Sequence, residues 1–327
     1  MDNHYYLRYD CALLFLPFRM SQSMKSLLAK GLSTVFLLSF ALMGASAHAQ
    51  SQRVITDQQG SITIKGTPTR VIALEYSFVD ALAAVGVSPV GVADDKNIER
   101  ILPEIRELIK PWQSVGVRPQ PSLEAISQLK PDLIIADAER HSTIYNDLMA
   151  IAPTILLKSR GETYQENLQS AMKIGIAVNK ADEMAARIEK HHKIMDQYKA
   201  KLSSNESFQF AVVTDKGMWL HGPNSYAGGV ITALGLHGPA VPKTDKAYIE
   251  VSFEQLLKIN PDWLLLGPYK PHTVYDDWQS NPLSKMLKVE KTEQAVKVSP
   301  QLWSLNRGIL AAEGIAKNLS DIINQQH

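Results

Sequence analysis

The feature that most constrains this chain is an internal repeat. The segment SLEAISQLKPDLIIAD at Ser122–Asp137 returns without a gap as SFEQLLKINPDWLLLG at Ser252–Gly267. Ser, Glu, Pro and Asp recur at matching places, and most other positions exchange one apolar residue for another, such as Leu123 for Phe253 and Ile134 for Leu264. Each copy opens on a Ser suited to cap a helix, runs through two amphipathic turns, stops at Pro and continues as an all-apolar run. Such a run reads as a strand buried on both faces, the habit of a parallel strand packed between helices. Two copies of one helix–strand unit predict two similar lobes.

A weaker echo supports this. Val71–Val87 and Phe210–Leu236 both read as strand, turn and helix ending near a Gly, Gly86 and Gly235. Further short strands are expected at Val90–Val92, Ile155–Leu157 and Val296–Val298. Strands alternating with helices predict an α/β fold of two lobes with parallel sheets. Between them, Lys180–Leu202 carries Met184, Ile188, Met195, Tyr198 and Leu202 at helical spacing with no Gly or Pro. At 1.5 Å per residue this helix would reach about 35 Å, enough to join the lobes by itself. The expected organisation is a first lobe over residues 50–179, a single long linker helix over 180–203 and a second lobe over 204–327. A helical strut of this kind predicts limited hinge motion.

Residues 1–49 are set apart as a secretory signal peptide. Lys25 and Lys30 precede an apolar run from Gly31 to about Gly44, and Ala47-His48-Ala49 follows as a small-x-small cleavage pattern, so cleavage is expected after Ala49. The apolar run is shorter than the roughly 20 residues a spanning helix needs. Residues 1–23 fit no ordinary leader, and Met24 followed by Lys25 makes a better start. Cleavage would remove Cys11, the one Cys, which leaves no disulfide, thiolate metal site or cysteine nucleophile and argues against a lipid anchor. An exported, thiol-free chain points to the periplasm. The 34 Lys plus Arg against 33 Asp plus Glu form no basic run, which argues against nucleic acid as a partner.

Ligands of open α/β sheets bind beyond the carboxyl ends of the strands. Those places hold Glu75, Tyr76, Arg118, Arg140, His141 and Arg160 in the first half, and His221, Tyr226, Tyr269, Trp303 and Arg307 in the second. Arginine presents a planar fork matched to carboxylate or phosphate, so a cluster of them predicts an anionic ligand. Taken singly, each would read equally well as a surface ion pair. Tyr76, Tyr226 and Trp303 suit either stacking on an organic ligand or ordinary packing. Asp94 and Asp95 read as a cap and turn. No His-Glu-x-x-His motif or compact His cluster calls for a protein-held metal, and His191 and His192 are expected to be solvated. No nucleophile elbow, phosphate loop or dinucleotide fingerprint calls for an enzyme, and no cofactor is implied. Glu124 and Glu254 stand out because they occupy the same place in both copies. They are either exposed first-turn residues or one anion per lobe offered to a two-fold symmetric partner.

The stretches ALEYSFVDALAAVGVSPVGVADD, ILPEIRELIKPWQSVGVRPQPSLEAISQLKPDLIIAD, LLKSRGETYQENLQSA and WSLNRGILAAEGIA carry a resemblance that covers the chain beyond the leader. It resembles the periplasmic siderophore-binding proteins of ABC importers. The resemblance implies two α/β lobes on a long helix, with little domain closure. It also implies an iron–siderophore cargo and delivery to an inner-membrane permease and its ATPase, which suits a monomer. On matching segments, it implies ligand contacts at Tyr76, Arg118, Tyr226 and Trp303, and permease docking by Glu124 and Glu254. Relatives that bind hydroxamates have a Tyr near the place of Arg140 and His141, and this departure fits a shift toward an anionic cargo. Ferric dicitrate is small and multiply charged, so Arg118, Arg140, Arg160 and Arg307 are expected on its carboxylates, with citrate and not protein holding the iron. A catecholate or mixed citrate siderophore, a bare metal ion and a two-lobed enzyme are the competing readings.

Overall fold

The computed structural model of the chain describes residues 52–241 and 244–325. The expected leader over 1–49, with its alternative start after residue 23 and cleavage after Ala49, lies outside the described residues.

An antiparallel hairpin of β1 (Gln52–Thr56) and β2 (Ser61–Lys65) leads into the first sheet. That sheet takes β3 (Val71–Ala73), β4 (Gly91–Val92) and β5 (Gln113–Ser114), is interrupted by the small antiparallel pair β6 (Gly116–Val117) and β7 (Gln120–Pro121), and is completed by β8 (Leu133–Asp137) and β9 (Thr154–Leu157). Its order is β5-β4-β3-β8-β9, and every pair is parallel. The second sheet takes β10 (Phe208–Val213), β11 (Met218–His221), β12 (Tyr248–Val251), β13 (Trp263–Pro268) and β14 (Ala295–Lys297) in the order β12-β11-β10-β13-β14. Here β10, β13 and β14 run parallel, while β11 and β12 add on antiparallel. The tight turn in which the Thr214 amide donates to the Gly217 carbonyl is too short for a crossover, so β11 must reverse direction.

The helices that matter below are α1 (Tyr76–Ala84), α2 (Leu123–Gln128), α3 (Tyr164–Ala177), α4 (Ala181–Lys199), α5 (Tyr226–Ala233), α6 (Phe253–Ile259) and α7 (Ile309–Gln325). The repeat emerges as α2–β8 and α6–β13. Both strands sit fourth in their sheets, beside the central strands β3 and β10. In both copies the residue before the Pro takes a left-handed conformation, Lys130 at φ 46° and Asn260 at φ 45°, which ends the helix. The repeated Asp explains itself here. Asp132 accepts from the Thr69 and Arg70 amides, and Asp262 accepts from the Ser207 amide and hydroxyl, so each pins the start of the neighbouring central strand.

Inner faces of both sheets share one core, in which Val71, Phe78 and Leu133 of the first half join Phe208, Trp263 and Ile315 of the second. Each half also keeps a core of its own, with Ile72, Leu74, Ile134 and Leu148 in the first and Leu220, Leu256, Leu264 and Tyr275 in the second. The connection is α4, about 28 Å long over its 19 residues. It packs on α3 and on α7, and α7 also returns to α1 of the first half. One expectation on α4 is corrected. His191 is fully buried, its Nε2 2.5 Å from the Tyr164 hydroxyl and its Nδ1 2.9 Å from Glu313 Oε1, because it falls on the same stripe as Met184 and Met195. His192 is exposed as expected. Among the described residues no helix is long and apolar enough to cross a membrane.

Asp262 is held down to about 2; burial opposes this, but the Lys288 ammonium and the Ser207 donors outweigh it. Asp262→Ala should therefore cost about 1–3 kcal/mol in urea unfolding at neutral pH, with an unchanged slope. The folded value lies below the ordinary 3.8, so this stabilisation is present above about pH 4 and is lost as pH falls toward 2. An equal loss for the variant at pH 7 and pH 2 would contradict this account.

Candidate functional site

The carboxyl ends of β3, β8 and β9 deliver Glu75, the Asp137–Arg140 turn and Ser159–Arg160, while Arg118 tips the β6–β7 turn. Opposite them stand residues of β11, β12 and the segments after β13 and before α7. Together they enclose an open cavity of about 330 Å³. Arg118, Arg140, Arg160 and Arg307 line it, and Trp219, His221, Tyr248 and Tyr269 form an aromatic wall. No acidic side chain reaches the lining.

Each arginine is anchored from behind. Arg118 donates from Nε (3.1 Å) and Nη2 (2.9 Å) to Asp95 Oδ2, its amide donates to Asp95 Oδ1 at 2.9 Å, and its guanidinium lies 4.0 Å over the Tyr76 ring. Arg140 Nε sits 3.1 Å from Glu75 Oε1. Arg160 Nε donates to Glu139 Oε1 at 2.8 Å. Arg307 donates from Nε to Glu162 Oε1 at 3.1 Å, from Nη2 to Ser159 Oγ at 2.9 Å and from Nη1 to the Ser304 carbonyl at 3.2 Å. Asp137 ties the loops together: its Oδ1 accepts from the Glu139 and Arg140 amides and its Oδ2 from the Ser159 and Arg160 amides.

Burial and charge pull against one another throughout. Loss of water pushes the fully buried Glu75 carboxyl up, against the pull of Arg118, Arg307 and Arg140. Burial likewise pushes Glu162 up to about 8, against Arg307 and the Asn167 amide. Burial would lower Arg307, but Tyr248, Glu162 and Glu75 hold it above its ordinary value. Burial, then repulsion from Arg307, drives His221 down to about 3, so this wall residue stays neutral at physiological pH.

Of the residues singled out in the sequence, the four arginines, His221 and Tyr269 meet at this cavity. Tyr76, His141, Tyr226 and Trp303, also expected as ligand contacts, are buried and do not line this cavity. They hold the arginines instead. Tyr76 lies beneath the Arg118 guanidinium, and His141 Nε2 lies 2.7 Å from the Arg118 carbonyl while its Nδ1 accepts the Asp137 amide. Tyr226 donates its hydroxyl to the Gly308 carbonyl and accepts the Gly308 amide, fixing the loop that carries Arg307. Trp303 in that loop donates to Asn318 and packs on Phe210. Asp94 serves a turn, accepting the Lys96 amide and the Trp112 indole, but Asp95 belongs to the site as the anchor of Arg118.

Sequence reasoning missed Trp219 and Tyr248. Trp219 alternates with the buried Met218 and Leu220 along β11, a period-two signal that places it on the open face. Glu124 and Glu254 are both exposed in the first turns of α2 and α6. Among the described residues no group of three or more His, Cys, Asp or Glu could hold a metal ion.

Comparison with known proteins bears on this site. A family model described as "Periplasmic binding protein" matches residues 71–298. The chain is 44% identical over 295 residues to the Fe(3+) dicitrate-binding periplasmic protein FecB of Escherichia coli (strain K12), covering 90% of this chain and 98% of that one. It is 42% identical over 275 residues to the Fe(3+)-citrate-binding protein YfmC of Bacillus subtilis (strain 168), covering 84% and 86%. In structure it is similar to Staphylococcus aureus SirA complexed with staphyloferrin B, at a TM-score of 0.72 and 23% identity over 83% of this chain and 98% of that one, a likeness of fold.

Removing the hydroxyl that clamps Gly308 tests the positioning role. Tyr226→Phe leaves a buried amide and carbonyl unpaired and should lower unfolding stability by about 1–3 kcal/mol. Calorimetry showing an unchanged unfolding midpoint would count against the clamp.

Proposed function

The chain belongs to the periplasmic binding protein family, and from that premise we propose that it captures ferric dicitrate in the arginine-lined cavity and passes it to an inner-membrane ABC permease with its ATPase. The family consists of substrate-binding proteins of transport systems, and the chain is one of them, a binder and not an enzyme. The observation that carries the cargo is the lining itself: four guanidinium groups and no carboxylate. Citrate complexes of ferric iron present several carboxylates in a small volume, and each can take charge-assisted hydrogen bonds from an arginine fork. Iron enters as cargo held by its own citrate ligands, in keeping with a lining of cations, aromatics and one neutral His. A single chain builds the whole cavity, which suits a monomer working in the periplasm once residues 1–49 are removed. The aromatic wall of Trp219, Tyr248 and Tyr269 also suits catechol rings, so a catecholate or mixed citrate complex is the second reading.

Delivery is assigned to Glu124 and Glu254, one exposed acid per half on equivalent helices of the repeat, which match a two-fold partner bearing cations. Charge reversal by Glu124→Lys or Glu254→Lys should leave ferric citrate affinity unchanged and reduce cellular iron–citrate uptake several-fold. Normal uptake in both variants would remove the docking role.

Thermal unfolding with equal concentrations of ferric citrate, free citrate, a ferric hydroxamate and a ferric catecholate tests the cargo. Ferric citrate should raise the midpoint, since a ligand at about a hundred times its Kd adds roughly 2.7 kcal/mol to the native state. Replacing Arg140 and Arg160 by Ala should weaken binding about ten- to a hundredfold each, as charge-assisted bonds of about 1.5–3 kcal/mol are lost. A shift with the catecholate alone would move the assignment to the second reading.

A further inference from the structure

The cavity is lined by cations, yet it is not a reservoir of positive charge. Five guanidinium groups, Arg100, Arg118, Arg140, Arg160 and Arg307, stand against five carboxylates, Glu75, Asp95, Asp137, Glu139 and Glu162. With all ten ionised, as on the alkaline side of the Glu162 value of about 8, the site is neutral, and a multiply charged anion entering it would leave buried negative charge uncompensated. One carboxylate differs from the others. Glu75 is completely buried at the floor, and neither oxygen accepts a hydrogen bond. Oε2 lies 3.6 Å from both Arg118 Nη1 and Arg307 Nη2, and Oε1 lies 3.1 Å from Arg140 Nε. It thus faces three of the four lining arginines while hydrogen-bonded to none.

We propose that Glu75 is a removable counter-anion of the cavity, one that takes up one proton from solvent when an anionic cargo binds and so makes affinity depend on pH. The inference rests on the reading of the cavity as an anion site. In the empty protein the Glu75 carboxylate balances Arg118, Arg140 and Arg307. When carboxylates of the cargo approach those guanidiniums, the charge on Glu75 becomes redundant and repulsive. A proton then adds to one of its oxygens and the three arginines turn their full charge to the cargo. Burial already disfavours the ionised form of Glu75, so the step is short. The other groups facing it act in known senses: Asp137 at the end of β8 repels its charge, Glu162 in the β9–α3 loop does so where it is ionised, above about pH 8, and Asp95 is engaged by Arg118 and Arg100. A neutral complex draws no proton and leaves Glu75 holding the arginines, so proton uptake marks an anionic cargo.

The coupling is measured by isothermal titration of the protein with ferric citrate between pH 5.5 and 8.5 in buffers of differing ionisation enthalpy, for wild type and Glu75→Gln. Wild type should take up about one proton more per ligand than the variant. Its affinity should fall relative to the variant's by up to about tenfold per pH unit on the alkaline side, so that the variant binds more tightly at pH 8.5. Equal proton uptake by both proteins would overturn the proposal while leaving the cargo assignment standing. A wild type that binds no anionic ferric complex would overturn the cargo reading and this inference with it. Should Glu75→Gln fail to fold, carboxyl ¹³C spectra of wild type with diamagnetic gallium(III) citrate decide. A Glu75 signal moving to its protonated position on binding supports the proposal, and an unmoved signal overturns it.

Discussion

Everything in this molecule answers to the cost of gathering like charges in one hollow. Burial lowers Arg140, and Arg118, Arg160 and Arg307 each push it further in the same direction, opposed by Glu75. At an effective dielectric of about 20, two unit charges 4 Å apart repel by about 4 kcal/mol, a large fraction of a domain's stability. The chain meets this by giving each arginine its own carboxylate from a different loop: Asp95 after β4, Glu75 after β3, Glu139 after β8 and Glu162 after β9. The carboxyl ends of parallel strands are where such loops converge, so the sheet topology is what allows cations and anchors to be supplied separately.

Much of this was legible in the sequence, because the repeat is a statement about topology. A helix, a Pro and an all-apolar run, used twice, correctly implied equivalent strands, and both occupy the fourth place in their sheets. The antiparallel β11 and β12 carry no such signature, since alternation on a half-covered edge resembles many other patterns. Arginines after strands were legible because a buried cation must face a cavity or an acid. The aromatics were not. Tyr76 and Tyr226 begin helices, and at a strand-to-helix turn a residue one place along points into the core and not out of it; only the fold tells which. His191 was misread for a different reason: its partners Tyr164 and Glu313 are distant in sequence, so spacing along α4 alone had to reveal its burial.

The two halves are joined by more than the linker helix. Asp80 of α1 accepts the Leu310 and Ala311 amides at 3.1 and 3.0 Å, capping the start of α7 from the opposite half. Gly308 is required there: its φ is 155°, and a Cβ at this position would run into the Asp80 carboxyl, which leaves no room for a side chain. Arg187 and His191 of α4 both reach Glu313 of α7, and Asn306 donates to the Arg100 carbonyl. A hinge opening would break these buried bonds together while exposing the shared core, which sets a cost against it.

Walls tied together in this way would shift the burden of recognition onto charge. A cavity that closed around its ligand could reject misfits by shape alone, whereas one with set dimensions must rely on what its polar groups lose with the wrong occupant. Guanidiniums left without acceptors in a desolvated site are costly, roughly 1–3 kcal/mol for each unsatisfied group and more for charged ones. A bulky neutral complex covers the arginines and leaves them only the carboxylates behind them, whose geometry the fold has already fixed. A compact polycarboxylate supplies a new acceptor to each fork without moving the loops, and the aromatic wall then contributes contact area and not choice. The proposed preference for an anion rests on this anchoring: guanidiniums held by carboxylates on four separate loops are best satisfied by a ligand that brings acceptors of its own.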